Sequence, residues 1–257
     1  MTEQTELKAV ITQFENHVFT ITLNRPQVLN ALTTDMFLEL QQAIHHAATN
    51  EQIKIVVLKG AGGNFCSGAD LSVLGSMSTR EQADESLDVI NSFLRELHYM
   101  NKPVIAVVEG VAVGAGLNLA LHADFVLATK DAVLQEPFVH IGLTTDFGGT
   151  YLLPRLVGMA QAKRLAMLGE KISGQEAAEI GLIFKAVEAH ELGEQLDQLL
   201  ATLFRLPPQA VVKTKEGLET CLSLSLDEAL AWEKANQPEL ILNPNFQALI
   251  AARLKRK

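Results

Sequence analysis

The sequence predicts an α/β fold followed by a helical region. In the first two-thirds of the chain, short runs of β-branched residues alternate with longer segments whose apolar residues recur every three or four positions. Helical periodicity dominates the last third. No fixed-period repeat, low-complexity tract or linker rich in proline and serine divides the chain. We therefore expect an α/β core over residues 1–195 and a helical region over residues 196–257.

The chain begins with a predicted β-hairpin. Ala9–Phe14 and Val18–Leu23 flank the turn residues Glu15-Asn16-His17, and apolar side chains alternate along the second segment. Asn24-Arg25-Pro26 ends that strand, because proline lacks a backbone donor and restricts the residue before it.

Three longer elements follow the hairpin. Thr33 or Thr34 caps a predicted helix that runs to about Asn50. The β-branched run Ile53–Lys59 predicts a buried strand, and Thr79–Tyr99 predicts a long amphipathic helix.

The second half of the core repeats the same alternation. Pro103–Val108 predicts a buried strand, and the small residues Gly114-Ala115-Gly116 then open an apolar helix to about His122. Phe125–Ala128 predicts another strand. The helices expected next are Met159–Leu168, Ser173–Ile180 with a capping box of Ser173 and Glu176, and Leu192–Arg205.

Charge and composition exclude several classes of function. The 21 basic and 30 acidic residues give a net charge of −9, which argues against wholesale binding to nucleic acid or to anionic membranes. Cys66 and Cys221 have neither zinc nor disulfide-scaffold spacing. Met1–Leu7 lacks the pattern of a signal peptide, and the apolar runs are shorter than the ~20 residues of a membrane helix. We expect a cytoplasmic protein.

Glycine is concentrated in three loops, Gly60–Asp70, Gly110–Gly116 and Gly142–Gly149. Glycine at any one of these positions is explained by turn geometry alone. A dinucleotide-binding loop is disfavoured because Leu119 stands where the third glycine of that motif belongs. Walker A, GxSxG and HExxH motifs do not occur in the chain.

Two of these loops have backbone donors that no helix or strand uses. Ala69 precedes a predicted helical turn and Ala115 begins a predicted helix, so both N–H groups lack intrahelical partners. Helix N-termini favour negative charge, and small side chains let a carbonyl group approach the backbone. The two amides therefore predict an oxyanion hole.

The run from Ile105 to Phe125 resembles the signature of the enoyl-CoA hydratase/isomerase (crotonase) family. Leu23–Leu32, Phe65–Leu71 and Gly142–Thr150 resemble family segments in the same order. The resemblance spans nearly the whole chain. It implies a spiral of ββα turns with a helical C-terminal trimerisation region. It also implies an acyl-CoA thioester substrate, with coenzyme A as part of the substrate and neither a separate cofactor nor a metal.

The resemblance assigns individual residues to the substrate site. Ala69 and Ala115 would supply the oxyanion donors, in agreement with the two loops. Ser67–Leu71 would contact adenine and pantetheine, and Val28-Leu29 would form the opposite wall. Arg25 is either a phosphate contact or a structural salt bridge, since Gln27 replaces a lysine that is frequent in the family. The expected substrate-binding residues are Arg25, Val28, Leu29, Ser67, Gly68, Asp70, Leu71, Gly114, Asn118 and Phe138.

The sequence departs from family hydratases at the two positions that the resemblance assigns to glutamates. Asn118 and Phe138 stand there, and neither side chain can act as a general base. Phe138 is expected to form an apolar wall of the site. Glu136 is the nearest carboxylate in sequence, and it shares a face with Phe138 if this segment is a strand.

Asp146 matches the position of the acid in several isomerase branches of the family. One carboxylate suffices to carry a proton between two carbons, so we expect an enoyl-CoA double-bond isomerase with Asp146 as proton shuttle. Asn118 would orient the acyl chain or Asp146. The structural alternative for Asp146 is a helix N-cap before Gly148-Gly149-Thr150. Enoyl-CoA hydration and non-catalytic acyl-CoA binding remain alternative functions.

Two further expectations concern partners. The apolar density of the segment from Leu222 to Leu242 predicts a homotrimer or a dimer of trimers. Thr33–Ile53 contains neither lysine nor arginine, so the first long helix lacks the basic surface with which one family branch binds RNA. We expect neither a nucleic-acid partner nor a membrane partner.

Overall fold

A computed structural model describes residues 8–254. The expectation about Met1–Leu7 lies outside the described residues. The chain divides into two compact units, residues up to Leu200 and residues from Ala201.

Nine strands occur among residues 8–254, and they form two sheets. In the larger sheet the order is β1-β2-β3-β4-β6-β9, with β1 antiparallel to β2 and the other pairs parallel. In the smaller sheet β7 lies between β5, to which it is parallel, and β8, to which it is antiparallel. The strands are β1 Val10–Glu15, β2 Val18–Leu23, β3 Ile55–Gly60, β4 Val104–Val108, β5 Val111–Val113, β6 Phe125–Thr129, β7 Val133–Gln135, β8 Lys171–Ser173 and β9 Lys185–Val187.

Ten α-helices accompany the sheets in the described part of the chain. They are α1 Thr34–Thr49, α2 Leu71–Ser76, α3 Arg80–His98, α4 Ala115–Leu121, α5 Gly149–Leu168, α6 Gly174–Glu179, α7 Leu192–Arg205, α8 Pro208–Cys221, α9 Leu226–Leu242 and α10 Pro244–Leu254. Short 3₁₀ helices cover Pro26–Val28, Pro137–Ile141 and Ala189–Glu191.

The core of the first unit lies between the larger sheet and its helices. All five side chains of β4 are buried, as expected for a parallel strand that is covered on both faces. The helices α1 and α3 pack against each other, with Phe37 and Phe93 stacked at a ring-centroid distance of 6.3 Å. The Thr33 hydroxyl caps α1 by accepting a hydrogen bond from the Met36 N–H, as predicted.

The predicted elements exist, and most of the differences lie at their ends. The prediction of a helix from Met159 is too short, because α5 begins at Gly149. The backbone of Gly158 is non-helical (φ 72°, ψ 166°), so α5 comprises two helical segments, and the sequence pattern indicated the second one. Ser173 accepts a hydrogen bond from the Glu176 N–H, which is one half of the predicted capping box. The strands β5, β7, β8 and β9 have three residues each, too few for a periodic pattern.

The second unit is helical, as expected for the end of the chain. Helix α8 packs on α9 at Gly217, where an added Cβ would lie 2.6 Å from the Trp232 ring. None of the helices formed by the described residues is long and apolar enough to cross a membrane.

Candidate active site

A cavity of about 360 Å³ lies in the first unit, beside the loops that precede α2 and α4. Most of its lining is apolar. The lining includes seven of the residues expected at a substrate site: Ser67, Gly68, Ala69, Leu71, Gly114, Ala115 and Phe138. Asp146 also lines the cavity. The structure therefore brings the predicted oxyanion donors and the predicted acid to one cavity.

The two loops that are predicted to supply the oxyanion donors run side by side. The Cys66 N–H donates to the Val111 carbonyl, and the Val113 N–H donates to the Cys66 carbonyl, both at 2.9 Å. Gly68 has φ +101°, and an added Cβ there would lie 2.9 Å from the Val113 oxygen and 3.8 Å from the Ala115 nitrogen. Only glycine fits this close approach without strain.

The N–H groups of Ala69 and Ala115 find no acceptor within residues 8–254. Ala69 lies in an isolated bridge in which the Leu32 N–H and the Asp70 N–H carry the hydrogen bonds. Ala115 is the first residue of α4, where an N–H has no intrahelical partner. Both residues line the cavity, so the two donors are available to an oxygen atom bound there.

Asp146 lies in the loop that leads into α5, and it does not cap that helix. The N-cap is Gly148, without a side-chain hydrogen bond, so the structural alternative for Asp146 is wrong. The Oδ1 atom of Asp146 is buried and has no hydrogen-bond partner among the described residues. Burial raises the pKa of Asp146 to about 6, in the range where a carboxyl group can both accept and release a proton at neutral pH.

Asn118 supports the Asp146 loop from behind the cavity. Its Nδ2 donates to the Asp146 backbone carbonyl at 2.9 Å and to Glu136 Oε2 at 3.2 Å. Asn118 is fully buried and is not one of the residues that line the cavity. Of the two roles expected for Asn118, the hydrogen bonds support the orientation of Asp146 and not contact with an acyl chain.

Glu136 and Phe138 would share a face only if their segment were a strand, and the structure does not meet that condition. Strand β7 ends at Gln135, and Pro137 begins a 3₁₀ helix, because proline is favoured at the first turn. As a result Phe138 lines the cavity as an apolar wall, whereas Glu136 is fully buried beside Asn118. Burial raises the pKa of Glu136 well above its usual value, and the charge of Asp146 raises it further, against the Asn118 hydrogen bond.

Arg25 and Asp70 form a structural pair. Arg25 Nη1 lies 3.1 Å from Asp70 Oδ2 and donates to the Ala31 carbonyl at 2.7 Å. Asp70 also caps α2, and hydrogen bonds from Ser72 and Arg25 lower the pKa of its carboxyl group. Neither residue lines the cavity, so the contacts of Arg25 support the salt-bridge alternative.

Val28, Leu29, Ser67 and Leu71 form a rim near the cavity. The Ser67 N–H donates to the Leu29 carbonyl at 2.9 Å, and its hydroxyl group donates to the Val28 carbonyl at 3.3 Å. Val28 and Leu29 are about two-fifths exposed, and Leu71 is 71% exposed. Exposed apolar side chains at the rim of a cavity are typical of a binding surface.

His122, a residue that was not predicted from the sequence, also holds the Asp146 loop. Its Nε2 donates to the Phe147 carbonyl at 3.0 Å, and burial lowers the pKa of His122 to about 4. Phe147 has a positive φ of 50°, a conformation that is strained for an aromatic residue. His122 follows Asn118 by four residues and caps the C-terminus of α4, so the two side chains reach the same loop from one face of the helix. The four-residue spacing between Asn118 and His122 is the feature of the sequence that could have indicated His122.

An apolar cavity with two unpaired amide donors and a partly buried carboxyl group is an arrangement typical of an enzyme active site. Comparison with known proteins identifies the class of enzyme. Residues 13–253 match the model of the enoyl-CoA hydratase/isomerase family, to which the chain therefore belongs. The predicted crotonase-type α/β fold with a helical C-terminal region is confirmed.

Some relatives are named hydratases and others are named isomerases. The chain is 37% identical to a short-chain-enoyl-CoA hydratase of Clostridium acetobutylicum, over 89% of this chain and 87% of the relative. It is 35% identical to 1,2-epoxyphenylacetyl-CoA isomerase of Escherichia coli, over 90% and 89%. A crystal structure of an enoyl-CoA hydratase from Polaromonas sp. JS666 superposes with a TM-score of 0.91 at 31% identity, covering 97% of this chain and 98% of that one.

Proposed function

We propose that this enzyme is an enoyl-CoA double-bond isomerase in which Asp146 carries the proton. The observation that carries the proposal is the position of Asp146. It is the one carboxyl group among the described residues that line the cavity, and it lies with the N–H groups of Ala69 and Ala115 in that lining. Coenzyme A is part of the substrate, so the reaction needs no separate cofactor.

The proposed reaction balances with one acid and no other reactant. The Asp146 carboxylate removes a proton from C2 of a 3-enoyl thioester, and the C–H electron pair forms a dienolate. The negative charge moves to the thioester oxygen, where the N–H groups of Ala69 and Ala115 stabilise it. The Asp146 carboxylic acid then returns the proton to C4, which gives the conjugated 2-enoyl thioester.

The surroundings of Asp146 favour isomerisation over hydration. Hydration needs one group that activates water and a second that delivers a proton. Phe138 presents an apolar surface to the cavity, and Glu136 is fully buried outside it. Hydration is the second candidate function, because a relative with 37% identity is named a short-chain-enoyl-CoA hydratase.

Loss of an isotope label tests the proposal against non-catalytic binding. A 3-enoyl-CoA deuterated at the α-carbon is incubated with the enzyme, and the thioester is analysed by mass spectrometry and NMR. Abstraction by Asp146 moves the label to C4 or exchanges it with solvent, so the α-position loses deuterium. A protein that only binds acyl-CoA leaves the label in place. Asp146→Asn, which cannot accept the proton, serves as the matched control.

The proposal predicts a pH dependence of isomerisation. Asp146 must be ionised in the free enzyme to remove a proton, and its pKa is about 6. We expect kcat/KM to rise with pH through about 6 and to level off above it. Initial rates across this range at saturating and limiting substrate are the measurement. A profile that stays flat down to about pH 4, the ordinary range of an exposed carboxyl group, would contradict the assignment.

We also propose that the helical unit mediates assembly into a homotrimer or a dimer of trimers. Large apolar side chains of this unit are widely exposed in the single chain; Leu218, Leu226 and Leu242 each have more than 70% of their surface exposed. Exposed apolar area of this kind is usually buried between subunits. Light scattering at micromolar concentration measures the mass. A monomeric mass there would contradict the proposal.

A further inference from the structure

A second carboxyl group lies behind the cavity, and the proposed reaction does not use it. Glu136 is fully buried, and Asn118 Nδ2 donates to its Oε2 at 3.2 Å. The same nitrogen donates to the Asp146 backbone carbonyl at 2.9 Å. Both N–H bonds of the Asn118 amide are therefore directed at oxygen atoms, and Asn118 bridges the two acidic residues.

The polar groups around this bridge include more buried acceptors than donors. Three buried oxygen atoms, Asn118 Oδ1, Glu136 Oε1 and Asp146 Oδ1, have no hydrogen-bond partner among the described residues. An ionised Glu136 would add only acceptors to this group. A buried acceptor without a donor is costly, and a buried charge costs more. A proton on Glu136 Oε1 removes the charge and turns one of the three acceptors into a donor.

Neighbouring charges favour the same protonation state. In the described part of the chain, Asp146 is the charged group that acts on Glu136, and its carboxylate repels a second negative charge. From α4, the facing side chain is the neutral Asn118; His122, at the end of that helix, contacts the Phe147 carbonyl. His140, on the 3₁₀ helix that follows Glu136, hydrogen-bonds to the Leu168 carbonyl. None of these contacts brings a positive charge to Glu136.

We propose that Glu136 holds its proton in the folded enzyme and, as a neutral acid, positions Asp146 through the Asn118 amide. Glu136 is a positioning residue, since it does not line the cavity. It fixes the Asn118 side chain, which fixes the backbone carbonyl of Asp146, while Asp146 alone ionises. The positioning role rests on the proposed function, whereas the protonation state does not.

Two substitutions test the protonation of Glu136 and its positioning role separately. Glu136→Gln is the isostere of the protonated acid, because its Oε1 accepts from Asn118 and its NH₂ group donates. Glu136→Met has a similar volume but offers Asn118 no comparable acceptor. Both variants are compared with the wild type in thermal unfolding between about pH 5 and about pH 8, and in the pH profile of isomerisation.

The pH dependence of the Tm tests whether Glu136 is protonated in the folded enzyme. When the pKa of a group is higher in the folded than in the unfolded protein, the protein loses stability as pH rises above the pKa of the unfolded state. The wild type has this penalty and Glu136→Gln does not. We therefore expect the Tm of Glu136→Gln, relative to wild type, to increase with pH. If the difference in Tm between Glu136→Gln and the wild type is constant over this range, Glu136 is not protonated in the folded enzyme and the proposal is wrong. This test does not depend on enzyme activity.

The kinetic experiment tests whether Glu136 positions Asp146. We expect Glu136→Gln to retain the activity that Glu136→Met loses, with the loss in kcat and not in KM, up to about 10²-fold for a misplaced reacting group. The acid limb of the Glu136→Gln profile should coincide with that of the wild type. A shift of this limb to lower pH by about one unit or more would mean that Glu136 is charged in the wild type. Full activity of Glu136→Met, or a loss in Glu136→Gln as large as that in Asp146→Asn, would also overturn the proposal.

Discussion

Replacing Asp146 with asparagine is expected to lower the kcat of isomerisation by about 10²–10⁴-fold, the usual contribution of a general acid–base group. Asparagine has nearly the same shape but cannot accept the substrate proton. Its side chain keeps the position of the carboxyl group in the cavity, so KM should change little. Single-turnover kinetics with a 3-enoyl-CoA separate the chemical step from binding.

Loss of folding would not explain such a result. Burial raises the pKa of Asp146 above its ordinary value of 3.8, so its charge costs stability as pH rises above that value. Asp146→Asn removes this cost, and we expect a Tm at neutral pH at least equal to that of the wild type. Asp131→Asn, an exposed turn residue outside the cavity, is the matched control and should have wild-type kinetics. Near-normal turnover by Asp146→Asn would contradict the assignment.

Removing one oxyanion donor is expected to have the second-largest effect. Ala115→Pro deletes the N–H at the first residue of α4, a position where proline is tolerated because that N–H has no intrahelical partner. We expect kcat to fall by about 10²–10³-fold, the usual cost of one oxyanion-hole donor. Circular dichroism and thermal unfolding check the fold of the variant.

Ala115→Gly is the matched control, since it keeps the backbone N–H and only removes a methyl group that lines the cavity. It should retain most of the activity that the proline variant loses. Equal losses in the two variants would show that the Ala115 side chain, and not its amide, matters. The oxyanion role would then be wrong for this loop.

The meeting of Ala69 and Ala115 at one cavity was predictable from the sequence, because the expected donors belong to the backbone. Small residues ahead of predicted helices indicate exposed N–H groups, and Ala69 and Ala115 indeed line one cavity. The contact of the two loops at Gly68 was not predictable, since it depends on the distance between segments that lie far apart in the chain.

The support of Asp146 was only partly predictable. The carbonyl groups of Asp146 and Phe147 accept hydrogen bonds from Asn118 and His122, and backbone acceptors leave no trace in residue identity. The relation of Glu136 to Phe138 depended on whether their segment is a strand, and Pro137 begins a 3₁₀ helix there instead. Phe138 therefore lines the cavity, whereas Glu136 is fully buried beside Asn118.

Product analysis with paired substrates distinguishes double-bond isomerisation from hydration. The enzyme is incubated separately with a 3-enoyl-CoA and with the 2-enoyl-CoA of the same chain length, and the products are identified by mass spectrometry and NMR. We expect the 3-enoyl thioester to be converted into the conjugated isomer with no change in mass, at a kcat/KM above that of any hydration. Faster conversion of the 2-enoyl thioester into a 3-hydroxyacyl product, heavier by one water molecule, would contradict this expectation.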